Sequence, residues 1–258
     1  MKIKSIGNLI RNNISYVLTD CQSSLNSSIE QTKNDWIELQ KVFQNLHGKN
    51  IATILGVLEN NKNVVIKIQP IDESRKEYEF DNILKKERGF IVFHCFVTCG
   101  SPIEYINLYK PKQKLCDKKG NTLGIIVMPY YQNGSFENFL QNNNKHKHTI
   151  HITVLAILSY YTAYKKLGFV HGDFYTKNVV VDENYRPLII DFENSSFNSD
   201  RKVSLFWRDI ENFLNCIYPF VDKRLDTIIR TQVVMNNAYN IEPNDTIMKR
   251  LTDDLMVL

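Results

Sequence analysis

The chain has no Cys-x-x-Cys pair, no continuous apolar run long enough to cross a bilayer, and no block of Lys and Arg of the kind that tracks a phosphate backbone. Each absence removes a class of function. Its five cysteines, Cys21, Cys95, Cys99, Cys116 and Cys216, are odd in number and scattered. That pattern argues against a disulfide framework and a zinc site, and it fits a reducing compartment with buried or idle thiols. The N-terminus, MKIKSIGNLIRNN, is basic but lacks the apolar core of a secretory signal. Without a spanning segment, the expectation is a soluble cytoplasmic protein. The net charge of +4 is what an ordinary solvated surface carries. The densest basic stretch, Lys145-His146-Lys147-His148, reads as a polar loop, so no nucleic-acid partner is indicated. No internal repeat is visible.

What is present is a globular composition, with 258 residues, 43% hydrophobic and 23% charged, enough for one large domain or two lobes with their own cores. Residues 1–40 are polar and uneven and are set apart as an N-terminal extension, whose pattern permits a helix over Asp35–Val42. IATILGVL and VVIKI, around the polar turn ENNKN, predict a β-hairpin over residues 51–68. The following stretch, DESRKEYEFDNILKKERG, predicts a helix capped by Asp72 or Ser74 and ended by Gly89. FIVFHCFV (90–97) predicts a strand, residues 98–122 a long loop or insertion, and LGIIVMPYY (123–131) a strand running into a connector. A short helix, FENFLQ, follows the turn QNGS. Thr149–Leu167 is the best helix in the chain, with Gly168 as its left-handed cap. Two short strands, VVVD and PLIIDF, flank the turn ENYR, and a last long helix begins near Val203. Strands first and helices later, with a connector near 129–130, predict an α+β architecture of two lobes: residues 41–129, carrying the insertion, and residues 130–258.

The strongest chemical signal is HGDFYTKN, residues 171–178, followed by IIDFE, residues 189–193. Phosphoryl transfer needs one carboxylate near the acceptor hydroxyl and side-chain oxygens that hold Mg²⁺ against the phosphates. Asp173 suits the first task. Asn178 and Asp191 offer the hard oxygens that Mg²⁺ prefers. A loop of five positions separates Asp173 from Asn178, and a tight hairpin returns the chain to Asp191.

This segment resembles the catalytic loop and metal-binding motif of the protein-kinase-like superfamily in its His-Gly-Asp variety, found in atypical protein kinases and in aminoglycoside and choline kinases. By order of motifs the resemblance covers roughly residues 46–215, and 171–193 carries the specificity. It implies a bilobal kinase-like fold with a small β-rich N-lobe and a helical C-lobe, and the use of ATP and Mg²⁺. In that frame Lys67 resembles the strand lysine that contacts the α- and β-phosphates and pairs with a helix glutamate. Otherwise Lys67 is a solvated strand lysine. Of Glu77, Glu79 and Glu87, Glu79 has the family's distance to the next strand, with Glu77 second. Met128, Pro129, Tyr130 and Tyr131 resemble the gatekeeper and hinge, where an adenine takes backbone hydrogen bonds, or they are a plain connector with buried aromatics. Asp209 resembles the helix aspartate that braces the His-Gly-Asp loop, or is an exposed helix acid. His171 is expected to pack and hydrogen-bond without serving as a base.

The sequence departs from the family in several places. LHGKNIATILG contains Gly48 and Gly56 but no Gly-x-Gly-x-x-Gly, so Gly48 alone stands for the phosphate-covering turn. Gly172 replaces the arginine that receives an activation-loop phosphate in many protein kinases, which implies activity without such control. The span from Asp191 to Asp209 leaves no room for a long activation segment. Only 67 residues follow Asp191, so the C-lobe should be reduced and lack the usual substrate-docking helices. Tyr175 sits where Ser/Thr kinases carry a lysine two residues past the catalytic aspartate. Lys177, four past it, neutralises developing phosphate charge instead, or faces solvent. Glu193 replaces the glycine of Asp-Phe-Gly, as in choline-kinase-type sequences.

These features resemble minimal kinases: RIO-like, tRNA-modification-associated, lipopolysaccharide-kinase-like or compact pathogen-encoded ones, the last of which would work in a host cytoplasm. The resemblance implies a minimal Ser/Thr protein kinase with a protein substrate and no membrane partner. A small-molecule kinase and a nucleotide-binding pseudokinase scaffold are the alternatives.

Overall fold

The computed structural model describes residues 3–6, 52–58, 63–98, 123–142, 146–197 and 200–258. It has the mixed helix and small-sheet content of the expected α+β class. The chain divides into two compact units, Met1–Asn82 with Val92–Tyr130, and Ile83–Ile91 with Tyr131–Leu258.

The first unit is an antiparallel sheet with one helix. Its strands are β1 (Ile3–Ile6), β2 (Ala52–Leu58), β3 (Asn63–Pro70), β4 (Cys95–Thr98) and β5 (Leu123–Pro129), in the order β1-β2-β3-β5-β4. The expected hairpin is β2–β3, with Thr53 opposite Lys67. On its other side β3 pairs with β5, so Lys67 also faces Ile126. The extension at 1–40 supplies β1 to this sheet, paired with β2. The helix expected over Asp35–Val42 lies outside the described residues, as does the 98–122 segment beyond Thr98.

Helix α1 (Ile71–Leu84) starts directly at the end of β3, one turn earlier than a cap at Asp72 or Ser74 requires. Both residues therefore sit inside its first turn, and Ser74 is buried. The sequence makes room for this helix. Gly124 stands opposite Gln69 on the neighbouring strand. A Cβ there would lie 2.3 Å from the Ser74 Cβ, closer than any side chain tolerates. Asp81, on the same helix, accepts the Phe93 N–H at 3.0 Å and ties the chain after α1 to the unit.

Residues 90–97 do not form one strand. Only Cys95–Thr98 joins the sheet. Residues 89–91 belong to the second unit and pair there in parallel with Ile189, whose N–H donates to the Gly89 carbonyl (2.8 Å) and whose carbonyl accepts the Ile91 N–H (3.1 Å). Gly89 does not terminate α1, which ends at Leu84. It has φ of 84° and passes so close to α3 that a Cβ would overlap the Ser159 hydroxyl.

The second unit is built around α3 (His146–Leu167), preceded by α2 (Phe136–Asn142). Apolar residues at helical spacing, including Ile150, Ile157, Tyr160 and Tyr164, bury one side of α3. Gly168 ends it at φ 64°, donating to the Tyr164 carbonyl at 2.8 Å. Two small ladders follow, β6 (Phe169–Val170) with β9 (Ser196–Phe197), and the hairpin β7 (Val179–Val181) with β8 (Pro187–Ile189). Asp182 holds the hairpin turn, since its Oδ1 accepts from the amides of Asn184 and Arg186, both at 2.8 Å. Helix α4 (Lys202–Ile217) buries Phe206, Trp207, Ile210, Phe213, Leu214 and Ile217 in one stripe.

The core is unusually aromatic: Tyr160, Phe169, Phe174, Phe192, Phe206, Trp207 and Phe213 are fully buried. Each such side chain contributes about 1.5–3 kcal/mol of burial. After α4 the chain stays helical. It continues as α5 (Arg224–Ile228), a π-helical turn (Ile229–Val234), α6 (Met235–Ala238) and α7 (Asp245–Met256). The strap before α7 is tied down by Trp207 Nε1 on the Ile241 carbonyl (2.7 Å), Tyr164 on Glu242 (2.8 Å) and Tyr161 on Asp245 (2.7 Å). Burial and these carboxylates raise the pKa of both tyrosines. The bonds from Lys165 and Tyr161 lower that of Asp245. Among the described residues, no helix is long and apolar enough to cross a membrane.

Candidate active site

The loop after β6 carries His171, Gly172 and Asp173, and His171 is its hub. The side chain is fully buried against Phe169, Phe174 and Phe192. Its Nε2 donates to the Ile190 carbonyl (2.9 Å) and its Nδ1 accepts from the Asp173 amide (3.3 Å). The backbone of His171 is held as well, with the amide on the Tyr160 hydroxyl (3.1 Å) and the carbonyl accepting from Ser195 Oγ (3.0 Å). One imidazole thus joins the loop bearing Asp173 to the residue before Asp191.

Asp209, on α4, bonds to the same loop. It sits within the apolar stripe of that helix and is fully buried. Its Oδ2 accepts from the Tyr160 hydroxyl at 2.7 Å and from the Gly172 amide at 2.8 Å, while its buried Oδ1 has no partner among the described residues. Burial and the Asp209 charge push the Tyr160 phenol well above its ordinary pKa, so it stays a donor.

Gly172 cannot be another residue. Its φ is 80°, and a Cβ would lie 2.5 Å from the Asn194 carbonyl oxygen, an approach that backbone cannot yield to cheaply. The arginine found here in phosphorylation-controlled kinases is excluded by this contact. Gly172→Ala should cost about 2–4 kcal/mol, combining the left-handed penalty with the overlap, as read by urea denaturation. A loss under about 0.5 kcal/mol would show that the 193–195 segment gives way.

The β7–β8 hairpin returns the chain from Asn178 to the residues just before Asp191, with Val179 opposite Ile189. Asn178 ends a 3₁₀ turn (Thr176–Asn178). Its Nδ2 donates to the Asp173 carbonyl (2.8 Å) and to Asp173 Oδ2 (2.9 Å). The Asn178 carbonyl accepts the Ile190 amide at 3.0 Å, which sets Asp191 one residue away. Asp191 has φ of 66°, a left-handed conformation that a non-glycine residue adopts at a cost and that clusters at functional sites.

An amide oxygen and a carboxylate are a donor set suited to Mg²⁺. Among the described residues, no group of three or more His, Cys, Asp or Glu is placed to hold a metal by itself. An amide oxygen and a carboxylate leave positions on such a cation for phosphate oxygens and water. Lys177 completes the loop, with Nζ 3.2 Å from Asp173 Oδ2.

In the first unit, Lys67 is buried on β3 and forms an ion pair with Glu77 of α1. Glu79 was the expected partner. It is exposed, because two residues on a helix turn the side chain roughly 200° away. Sequence distance alone does not set that phase; where α1 begins does. Glu77→Ala should destabilise the protein by about 3 kcal/mol, leaving the buried ammonium without this carboxylate. Glu79→Ala should change stability by less than about 0.5 kcal/mol. Thermal unfolding of the two variants separates the assignments, and equal shifts would refute the pairing.

Met128 is buried on β5 opposite Val65, and Tyr130, at the end of the first unit, is exposed. Tyr131 opens the second unit and is half-buried. Burial, followed by the charges of Asp182 and Glu183, raises its phenol pKa. Gly48 lies outside the described residues. Sequence reasoning missed Tyr160, Ser195 and Asn194. Tyr160 was open to detection, because a tyrosine in the apolar stripe of a helix needs a partner for its hydroxyl.

Residues 118–227 match the family model of the RIO domain. The match takes in β5 through α5 and hence the whole Asp173–Asn178–Asp191 constellation, Asp209 included; Lys67 and Glu77 precede it. No curated protein matches the chain. The His-Gly-Asp loop held by His171 and Asp209 lies within this match, and the RIO domain that residues 118–227 resemble is a member of the atypical protein-kinase-like superfamily.

Proposed function

We propose that the chain is an ATP- and Mg²⁺-dependent phosphotransferase that acts on Ser or Thr hydroxyls of a partner protein, without activation-loop control. The observation that carries the reading is the constellation on one braced loop. Asp173 and Asn178 are hydrogen-bonded side chain to side chain, and Asp191 is held in a strained conformation by the hairpin beside them.

Asp173 takes the role of the carboxylate that orients the acceptor hydroxyl and receives its proton. Asn178, through Oδ1, and Asp191 would hold Mg²⁺, which when bound with ATP draws together and neutralises the phosphate oxygens. Lys177 contributes positive charge at the same loop as charge develops on the transferred group. Lys67, kept extended by Glu77, serves the α- and β-phosphates. By the resemblance, Gly48 is assigned to covering the phosphates, and Met128, Tyr130 and Tyr131 to the adenine. The absence of activation-loop control follows from Gly172, where the Asn194 carbonyl leaves no space for an arginine.

The compact step from Asp173 to Asp191, closed by the β7–β8 hairpin alone, favours a protein acceptor over a small one. Small-molecule kinases build acceptor pockets from longer helical insertions, although Glu193 after Asp-Phe is the choline-kinase-type residue and keeps that reading in play. A screen with labelled ATP and Mg²⁺ over the protein itself, a cell extract and a metabolite panel tests the proposal. Label on Ser or Thr is the expected outcome. Label confined to metabolites would establish a small-molecule kinase, and Mg²⁺-dependent nucleotide binding without transfer would establish a pseudokinase.

A further inference from the structure

Residues 175–178 alternate in exposure. Thr176 and Asn178 are buried, Lys177 is exposed and Tyr175 is half-exposed. Lys177 Nζ lies 3.2 Å from Asp173 Oδ2 and 5.3 Å from the centroid of the Tyr175 ring. Residues two apart do not face each other on a helix. The contact arises because Tyr175 is extended (φ −123°, ψ 163°) immediately before the 3₁₀ turn. Its amide donates to the Asp173 carbonyl (3.0 Å) and its carbonyl accepts from the Asn178 amide (2.9 Å), so the ring is carried on a fixed backbone.

We propose that Tyr175 is a positioning residue: its ring face holds the Lys177 ammonium over the catalytic loop, a role that rests on the phosphotransferase reading above. An exposed lysine on a four-carbon stem has many conformers, and an isolated surface ion pair fixes it poorly. With only Asp173 to attract it, the ammonium would also neutralise the carboxylate that must receive the acceptor proton. A ring attracts the cation through its quadrupole and carries no charge of its own. The ammonium can therefore leave Asp173 for the phosphoryl oxygens as their charge grows and remain above the loop. In this sequence the arrangement supplies a lysine four positions past the aspartate where other kinases have one two positions past it. The aromatic residue at the vacated position is what makes the substitution work.

The test compares wild type, Tyr175→Phe, Tyr175→Leu, Lys177→Met and the Tyr175→Leu/Lys177→Met double variant. Transfer of labelled phosphate from ATP is followed on the acceptor found above, or as autophosphorylation. Tyr175→Phe should retain wild-type kcat. Tyr175→Leu should lower kcat by about two- to fivefold, the worth of an exposed cation–π contact, with KM for the acceptor unchanged and no further loss in the Lys177→Met background. A fall of the same size in that background, or a change confined to the acceptor KM, would overturn the proposal and make Tyr175 part of the fold or of the acceptor contact.

A second readout needs no activity. Acetic anhydride labelling of Lys177, followed by mass spectrometry, should be about two- to fivefold faster in Tyr175→Leu than in wild type or Tyr175→Phe. Equal rates would also overturn the proposal. If wild type transfers no phosphate, the phosphotransferase reading fails on that result, while the labelling still decides whether the ring holds Lys177.

Discussion

Asp191→Asn should abolish phosphate transfer, lowering it by about a thousandfold or more, and leave the protein folded with its melting temperature unchanged. Removing one preorganised transition-state contact costs about 10²–10³ in rate. Here the lost charge also weakens the hold on Mg²⁺. The fold survives because Asn adopts a left-handed backbone about as readily as Asp does, and Asp191 has φ of 66°. Asp191→Ala should lose transfer equally but also lose stability, by about 1–2 kcal/mol for the left-handed penalty. At this chain length that lowers the melting temperature by roughly 2–8 °C. Phosphate transfer and calorimetry on the two variants check both halves. Should Asp191→Asn keep a tenth of the wild-type rate, the carboxylate would be there for the backbone alone.

The second large effect is on stability and concerns Asp209. Its Oδ2 accepts from both the Tyr160 hydroxyl and the Gly172 amide. Asp209→Ala strands two buried donors, each costing about 1–3 kcal/mol, for a total of about 2–5 kcal/mol. The loop bearing Asp173 is then free to shift, and misplacing a reacting group by about 1 Å costs about a hundredfold in rate. Asp209→Asn should be much milder. Its amide oxygen can occupy the Oδ2 position and accept both bonds, with the NH₂ where the partnerless Oδ1 now sits. Urea denaturation of the pair provides the check. Equal losses for Ala and Asn would mean that the negative charge, and not the acceptor, is what the loop requires.

The parts of this molecule legible in its sequence are those whose chemistry is local. HGDFYTKN and IIDFE announce themselves because acid, amide and acid recur at spacings that one hairpin brings together. Asp209 is legible for a related reason, as a carboxylate inside the apolar stripe of α4. Helix α3 and the β2–β3 hairpin follow from apolar periodicity, and Gly168 caps α3 because a left-handed residue is needed there.

What the sequence hid depends on contacts between distant residues. FIVFHCFV has the composition of one strand, yet Phe90 pairs with Ile189 and only Cys95 onward joins the sheet. That choice is made by a partner 99 positions away and by Gly89 slipping past Ser159. The Lys67 partner turned on the phase of α1, which starts at Ile71 because the chain enters it straight from β3. Helix α7 had a readable start that was overlooked. Asn244 accepts the Ile247 amide at 3.1 Å as an N-cap, and Met248, Leu251 and Leu255 follow at helical spacing.

The claim at the centre of this account is that Asp173, on the loop pinned by His171 and Asp209, receives the proton of an acceptor hydroxyl as ATP gives up its γ-phosphate. The measurement that tests it most directly is transfer of labelled γ-phosphate with Mg²⁺, wild type against Asp173→Ala, both shown to be folded. The account predicts label on protein from the wild type and a fall of about a hundredfold or more in the variant. Label that persists at the wild-type rate in Asp173→Ala would contradict it.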